Sequence, residues 1–233
     1  MRELTPEQKA QKALDMLEVQ NCMSRHAYYH AAGRHADELE LNWVKQTPGP
    51  TFAMNFGKWV GHESVKGSYV DAGPAINRAF LEALAKEFPG IEVKEENFGL
   101  GVMAIHAQTT PVIEIAGDGR TAKGVWLTPG VVTLPFPKLQ AWWMWERYGV
   151  DFAKEDGEWK MWHLAMFTDF GVPMGQPIIS GQGEGAAAMV MPPGVPEPDE
   201  KFEMYKMFSP YVMPELLPRL PEPYETFNET FSY

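Results

Sequence analysis

Apolar residues recur at helical spacing along the beginning of the chain. The segment Thr5-Pro6-Glu7-Gln8 has the composition of a helix start, because its threonine can cap the first turn and its proline fits within that turn. The repeat that follows predicts a helix over residues 6–32, with a break near Glu18 left open. Gly33 can end this helix.

Beyond this helix the pattern changes from helical spacing to alternation. Helical segments are predicted over residues 36–44, 63–69 and 74–88, with short strands at 51–56 and 58–60. Longer strands are predicted over residues 98–108, 111–115, 122–127, 142–154 and 159–169. The sequences AGDGR and EDGEW provide tight turns between consecutive strands. Helices followed by an antiparallel meander predict an α+β fold.

The composition shifts after Phe170. The last 63 residues hold 11 of the 20 prolines and 6 of the 14 methionines, yet segments such as KFEMYKMF are too apolar for a plain disordered linker. We therefore predict a domain over residues 1–170 and a C-terminal extension over 171–233. The extension either covers the core of its own domain, closes a pocket or wraps a neighbouring subunit, and we predict a homo-oligomer, a dimer or a trimer.

The overall composition excludes several classes of protein. With 45% hydrophobic and 22% charged residues, the 233-residue chain has the composition of a globular protein with one large core. The net charge of −11, without a basic cluster, argues against nucleic acid and anionic membranes as partners. A single cysteine, Cys22, and a charged start without an apolar signal region predict a cytoplasmic protein with no membrane span.

Three segments resemble the SnoaL-like proteins of the NTF2-like superfamily, a group that includes scytalone dehydratase, bile-acid dehydratase and ketosteroid isomerase. They are VQNCMSRHAYYHAAGRHADELELNWV in the leading helices, HAQTTPVIEIAGDGRTAKGVW in a hairpin, and ERYGVDFAKEDGEWKMWHL in the closing strands. The resemblance covers roughly residues 6–170. It implies a cone in which a curved antiparallel sheet wraps around the N-terminal helices and encloses an apolar cavity.

His106 is the first candidate for catalysis. Alternation places His106, Gln108 and Thr110 on one face of a strand. In the dehydratases that the chain resembles, a histidine at the matching strand position acts as general base or acid, which suits an imidazole that titrates near neutral pH. The alternative is a structural histidine at the end of the sheet.

The first helix carries a stripe of candidate site residues. His26, Tyr29, His30 and Gly33 follow helical spacing. In the family this region often supplies a tyrosine and an aspartate, but residues 31–33 read AAG here, so the usual carboxylate partner of the histidine is missing. Tyr29 and His30 either replace it as donors to a substrate oxygen or pack the helix onto the sheet, whereas His26 lines the pocket or belongs to the core.

Further residues are predicted to bind the substrate. Glu146 and Tyr148 share one face of a strand, with Arg147 and Asp151 on the other, and a buried Glu146 would have a raised pKa. The alternative for this strand is an ion pair with a neighbouring strand. The other residues predicted to line the pocket, or else the core, are Tyr28, Trp43, Phe56, Trp59, Trp126, Trp142 and His163.

The chain lacks the motifs of cofactor-dependent chemistry. It has no HExxH, no cysteine pair, no GxGxxG between a strand and a helix, and no GxSxG, so neither a metal nor another cofactor is predicted. Together with the resemblance, this predicts a cofactor-independent acid/base lyase, of dehydratase type or removing another small group, for a hydrophobic aromatic or polycyclic molecule. The alternatives are a ketosteroid-type isomerase and a non-catalytic small-molecule-binding or assembly module.

Overall fold

The leading helices form as the capping and apolar pattern predicts. The computed structural model describes residues 4–135, 138–177, 194–202 and 205–233. Helix α1 spans Pro6–Ala31 without a break, and Thr5 forms a capping box with Gln8 at its start. Helix α2 spans His35–Asn42. The buried side chains of α1 follow helical spacing and face the sheet; they are Asp15, Val19, Cys22, Met23 and His26.

One curved sheet accounts for the strands of the described residues. The strands are β1 (Thr51–Met54), β2 (Gly57–Val60), β3 (Ala104–His106), β4 (Thr109–Ile115), β5 (Thr121–Leu134), β6 (Gln140–Glu155), β7 (Glu158–Pro173) and β8 (Glu200–Lys201). Their order is β3-β5-β6-β7-β1-β2-β8, and β4 also pairs with β5. Helices α3 (His62–Lys66) and α4 (Gly73–Glu87) lie between β2 and β3 in the chain. Helices followed by this sheet confirm the predicted α+β cone.

Two details differ from the sequence prediction. Strand β1 pairs with β7 in parallel, whereas the other strand pairs are antiparallel. The β1–β2 hairpin comes from the N-terminal half of the chain and covers the edge of β7, the last long strand. The strand predicted over residues 98–108 is reduced to β3. Gly99 and Gly101 adopt positive φ angles there, which turn the chain before the strand can begin.

The inner face of the sheet packs against α1 and holds the main core. Trp126, Tyr148 and Phe152 point inward from β5 and β6, and each is at most 1% exposed. The indole Nε1 of Trp126 donates to Gln20 Oε1 of α1 over 3.1 Å, which fixes the helix to the sheet. None of the described helices is long and apolar enough to cross a membrane.

The described part of the extension contacts the edge and the outer face of the same sheet. Pro196 O accepts a hydrogen bond of 3.0 Å from Trp59 Nε1, and β8 pairs with β2. Near the C-terminus, Tyr233 N donates to Asp151 Oδ2 over 3.0 Å on the outer face. Residues 178–193 and 203–204, which the predicted extension includes, lie outside the described residues.

Candidate active site

Strand register places a histidine and a carboxylate on the same inner face. His106 pairs with Gly130 across β3 and β5, and Thr128 pairs with Glu146 across β5 and β6. Residues directly opposite each other lie on one face of a sheet, and so do Gly130 and Thr128, which are two residues apart on β5. His106 and Glu146 therefore both point toward α1. Each side chain is 6% exposed.

Glu146 is the carboxylate partner of His106. Its Oε2 lies 3.1 Å from His106 Nδ1, although the ring nitrogen is not well aligned for a hydrogen bond. The same Oε2 accepts a hydrogen bond of 2.9 Å from the Tyr148 hydroxyl, and Oε1 accepts one of 3.1 Å from Thr168 Oγ1. Both carboxylate oxygens are therefore engaged, so the orientation of the carboxylate is fixed.

These contacts determine which of the two side chains, Glu146 or Tyr148, carries a charge. Burial alone would raise the pKa of Glu146, but the His106 contact and the hydrogen bonds from Tyr148 and Thr168 outweigh it and lower that pKa. Glu146 is thus ionised at neutral pH, contrary to the raised pKa expected from the sequence. Burial, with the Glu146 charge added, raises the pKa of Tyr148 well above its usual range, so its hydroxyl remains a donor.

Two more histidines, His30 and His35, extend the contacts of His106 to helices α1 and α2. The ring of His30 on α1 lies 5.2 Å from the ring of His106, edge to face. His30 Nδ1 is 3.0 Å from His35 Nε2 on α2, so one of the two rings donates a proton to the other. Burial, together with the neighbouring histidines, lowers the pKa of His30 well below its usual range, and burial also lowers that of His35. Both rings are neutral at pH 7.

A second histidine–carboxylate pair lies deeper between the helices. Glu38 of α2 is fully buried, and its Oε1 lies 2.7 Å from His26 Nδ1. Its Oε2 accepts a hydrogen bond of 2.7 Å from the hydroxyl of Tyr69. Burial and the Glu38 charge raise the pKa of Tyr69 well above its usual range. The His26 ring reaches both Tyr148, at 5.7 Å, and His30, at 5.8 Å, so the two pairs form one polar cluster.

Besides His106 Nδ1, two buried polar atoms on the inner face of β5 and β6 lack a hydrogen-bond partner among the described residues. They are Thr128 Oγ1, opposite Glu146, and the indole Nε1 of Trp142, whose residue pairs with Val132. A buried donor without a partner costs about 1–3 kcal/mol. These atoms are therefore suited to hydrogen-bond a polar group of a bound molecule.

The structure brings together some of the predicted site residues. His106, His30, His26, Glu146 and Tyr148 meet in the cluster.

Several aromatic residues predicted for the pocket pack in the core around the cluster. The Trp43 ring lies 5.8 Å from Tyr69, Phe56 packs on Trp59, and Trp59 also stacks on Phe52. Trp126 and Trp142 are buried on the inner face.

Other predicted residues lie elsewhere. Tyr28 is 81% exposed, so it points away from the inner face, and Tyr29 is half-buried without a hydrogen bond from its hydroxyl to the cluster within the described chain. His163 pairs with Asp151 and lies on the outer face, because the register shifts by one residue between Asp151 and Phe152. The expected polar row from His106 also ends early, since β3 ends at His106 and the chain returns to the sheet as β4 at Thr109, where Thr110 has a positive φ of 47°.

The sequence reasoning missed part of the cluster. Glu38 and Tyr69 were assigned no role, and neither was His35 or Thr168. His35, Glu38 and Asn42 are spaced i, i+3 and i+7 on α2, and this polar stripe on a short helix was the available signal. Among the described residues, no group of three or more histidine, cysteine or acidic side chains is arranged to hold a metal ion.

Comparisons with known proteins place the chain in a family. The model of the SnoaL-like domain matches residues 11–165. The solved structure of LinA superposes with a TM-score of 0.50 at 13% identity, covering 71% of this chain and 96% of that chain. Comparison with curated proteins gives no match.

Two further solved structures superpose with lower TM-scores. A candidate scytalone dehydratase from Novosphingobium aromaticivorans DSM 12444 has 12% identity and a TM-score of 0.49, covering 72% of this chain and 99% of that one. The hexachlorocyclohexane dehydrochlorinase LinA-type3 from Novosphingobium barchaimii LL02 has 14% identity and a TM-score of 0.47, covering 71% and 96%. Since the domain match spans well over half of the sequence, the chain belongs to the SnoaL-like family of NTF2-like proteins.

Proposed function

We propose that the protein is a cofactor-independent acid/base lyase that eliminates water or another small group from a hydrophobic aromatic or polycyclic molecule, with His106 as the proton carrier. The observation that carries the proposal is the contact between His106 Nδ1 and Glu146 Oε2 on the inner face, at 3.1 Å. An ionised carboxylate beside one ring nitrogen fixes the imidazole and stabilises its protonated form. The misaligned contact does not count against this role, because catalytic hydrogen bonds often tighten only when substrate binds.

The chemistry for a β-hydroxy ketone follows from this arrangement. His106 Nε2 takes the proton from the carbon next to the carbonyl, and the electron pair of that C–H bond forms an enolate with charge on the carbonyl oxygen before it returns to form the new C=C bond. The C–O bond of the hydroxyl group breaks, and the departing oxygen takes the proton back from the imidazolium to leave as water. Neutral His30, Thr128 Oγ1 or Trp142 Nε1 can donate to the carbonyl oxygen, on which negative charge develops.

The two tyrosines of the cluster have a supporting role in this scheme. Tyr148 and Tyr69 donate their hydroxyl protons to Glu146 and Glu38, so these protons are already engaged. They hold the two carboxylates in place, and the hydrogen bond from Tyr148 also favours the ionised form of Glu146. A buried network whose members are paired is rigid, and rigid positioning of the base favours proton transfer.

A ketosteroid-type isomerase remains the second candidate. It begins with the same abstraction of a proton next to a carbonyl and returns that proton to a different carbon. The 3.1 Å contact between Glu146 and His106 favours either enzyme over a non-catalytic binding module, because a binding surface does not require an ionised carboxylate held against a buried imidazole.

The test uses 3-hydroxy-1-tetralone, which forms 1-naphthol when it loses water. We expect the protein to accelerate both the appearance of 1-naphthol and the exchange of the C2 protons in D2O, and His106→Gln to reduce both by about a hundredfold or more. The exposed residue His62 provides the matched control, His62→Gln. Exchange without elimination would favour the isomerase, and full activity of His106→Gln would remove His106 from the mechanism.

A further inference from the structure

A cleft of about 900 Å³ lies on the other face of the sheet, away from the histidine cluster. Its floor is the outer face of β6 and β7, and its opposite wall consists of described residues of the C-terminal extension between 202 and 217. That wall lies entirely beyond residue 165, where the SnoaL-like domain match ends. The cleft is therefore a feature that the extension adds to the domain.

Aromatic rings line the cleft from both sides. Trp145 of β6 stacks against Phe170 of β7 with ring centroids 6.1 Å apart, and Phe167 of β7 lies 5.1 Å from Tyr205 of the extension. Trp145 remains 39% exposed and Phe208, on the extension side, 44% exposed. Partly exposed aromatic rings that line one cleft are suited to binding an apolar ligand.

Three polar side chains of the cleft, those of Arg147, Asp169 and Tyr205, form one hydrogen-bonded group. Arg147 Nε donates to Asp169 Oδ2 over 2.8 Å, and its NH1 donates to the carbonyl oxygens of Glu215 and Leu217. The hydroxyl of Tyr205 donates to Asp169 Oδ1 over 2.9 Å, and burial raises its pKa to about 12. Arg147 thus ties the extension to the floor, and the cleft is held in shape by its own hydrogen bonds.

The charges that line the cleft cancel. Arg147 and Lys206 are balanced by Asp169 and Glu215. The chain as a whole carries a net charge of −11, which repels anions. A volume of this size is at the upper end of the range for small-molecule pockets, and such pockets are mostly apolar with a few polar groups that orient the ligand.

We propose that this outer cleft is a second binding site, which takes a neutral, planar aromatic small molecule between the rings of β6 and β7 and those of the extension. Flat rings match the aromatic walls, and offset stacking adds to the gain from burial. A neutral ligand is favoured because the formal charges of the side chains that line the cleft sum to zero. This site is independent of the function proposed for His106.

The neutral naphthalene dye prodan is the probe, with 1-anilinonaphthalene-8-sulfonate as its anionic counterpart. We expect saturable binding of prodan with a blue shift of its emission, and weaker binding of the anionic dye. Trp145→Ala and Phe167→Ala should each raise the Kd for prodan by about tenfold. Trp143→Ala, an exposed tryptophan on the same strand that does not line the cleft, should leave the Kd unchanged.

A further variant separates this site from the inner cluster. His106→Gln should bind prodan as the unmodified protein does. Absence of saturable binding, equal affinity for the two dyes, or loss of binding in His106→Gln but not in Trp145→Ala would each overturn the proposal. Circular dichroism melting of every variant shows whether it is folded, and Phe170→Ala replaces any that is not.

Discussion

Gly130 lies directly opposite His106, and the ring of His106 occupies the space where a side chain at position 130 would stand. A Cβ atom added to Gly130 would lie 2.8 Å from His106 Nδ1 and 2.7 Å from the carbonyl oxygen of Ile105. Real Cβ atoms do not approach so closely, and the second contact is with backbone, which cannot rotate away. The glycine is thus part of what holds His106 against Glu146.

Gly130→Ala therefore tests whether the position of His106 matters. We expect the variant to lose about 1–3 kcal/mol in the free energy of unfolding, measured with urea, because overpacking forces β3 away from β5. The proton exchange catalysed by the protein should fall by about tenfold or more, since a displaced base loses its alignment. Gly90→Ala is the control, because nothing lies within 4 Å of a Cβ there. Unchanged exchange in Gly130→Ala would show that this packing is not needed.

Glu146→Gln should change both stability and activity with a defined dependence on pH. A carboxyl group whose pKa is lowered by folding stabilises the protein above the pH range in which a free glutamate titrates, and this stabilisation disappears as the pH falls through the lowered pKa. The difference in Tm between the unmodified protein and Glu146→Gln should therefore be largest near pH 7 and shrink in acid. Turnover at pH 7 should fall by about ten- to a hundredfold, because the imidazolium loses its counter-charge.

The control for this prediction is Glu40→Gln, since the Glu40 side chain is 71% exposed on α2. Its Tm should follow that of the unmodified protein from pH 7 down to pH 3. A constant Tm difference for Glu146→Gln over the same range would contradict an ionised Glu146.

The sequence predicted the helices and most of the long strands, and it placed His106 on a strand, since each of these depends on local spacing and turns. It did not identify the carboxylate partner of His106. Residues 31–33, where the family often has the aspartate, read AAG, and Glu146 comes close to His106 only through the register of three strands. His163 was misplaced for a related reason. One extra residue in a strand reverses the face of every later side chain, and no local pattern reveals such a bulge.

His30 should make the protein less stable in mild acid. Burial keeps its pKa well below the usual value, so as the pH falls below about 6.5 the unfolded chain takes up a proton that the folded protein does not. The free energy of unfolding therefore decreases as the pH drops toward 5. His30→Gln removes this proton uptake, and its Tm should depend less on pH between 7.5 and 5 than that of the unmodified protein.

The groups that face His30 set the size of this effect. They are the rings of His26, His35 and His106, and burial lowers the pKa of His35 as well, so some pH dependence should persist in His30→Gln. The exposed His62 again serves as control, because His62→Gln should leave the slope unchanged. A slope of Tm against pH that is the same in His30→Gln and the unmodified protein would contradict a neutral, buried His30.

A buried lysine on the outer face leads to a prediction about the C-terminal segment. Lys123 is fully buried, its Nζ lies 2.5 Å from Asp151 Oδ1, and the rings of Phe227 and Phe231 each lie 4.6 Å from it. Burial lowers the pKa of Lys123, and the contact with Asp151 opposes that shift. Asp151 has other partners, because His163 Nδ1 lies 2.8 Å from its Oδ2.

The two halves of this ion pair should differ in their contribution to stability. Asp151→Ala leaves a buried ammonium among aromatic rings, and we expect it to cost about 3–5 kcal/mol in the free energy of unfolding at pH 7. Lys123→Met should cost less, since Asp151 retains His163 and the backbone N–H of Tyr233 as partners. The loss in Asp151→Ala should also decrease as the pH rises toward 10, where Lys123 can bury its neutral form. Equal losses for the two variants in urea denaturation would contradict this difference, because they would show that Asp151 gains no more from its other partners than Lys123 gains from the rings.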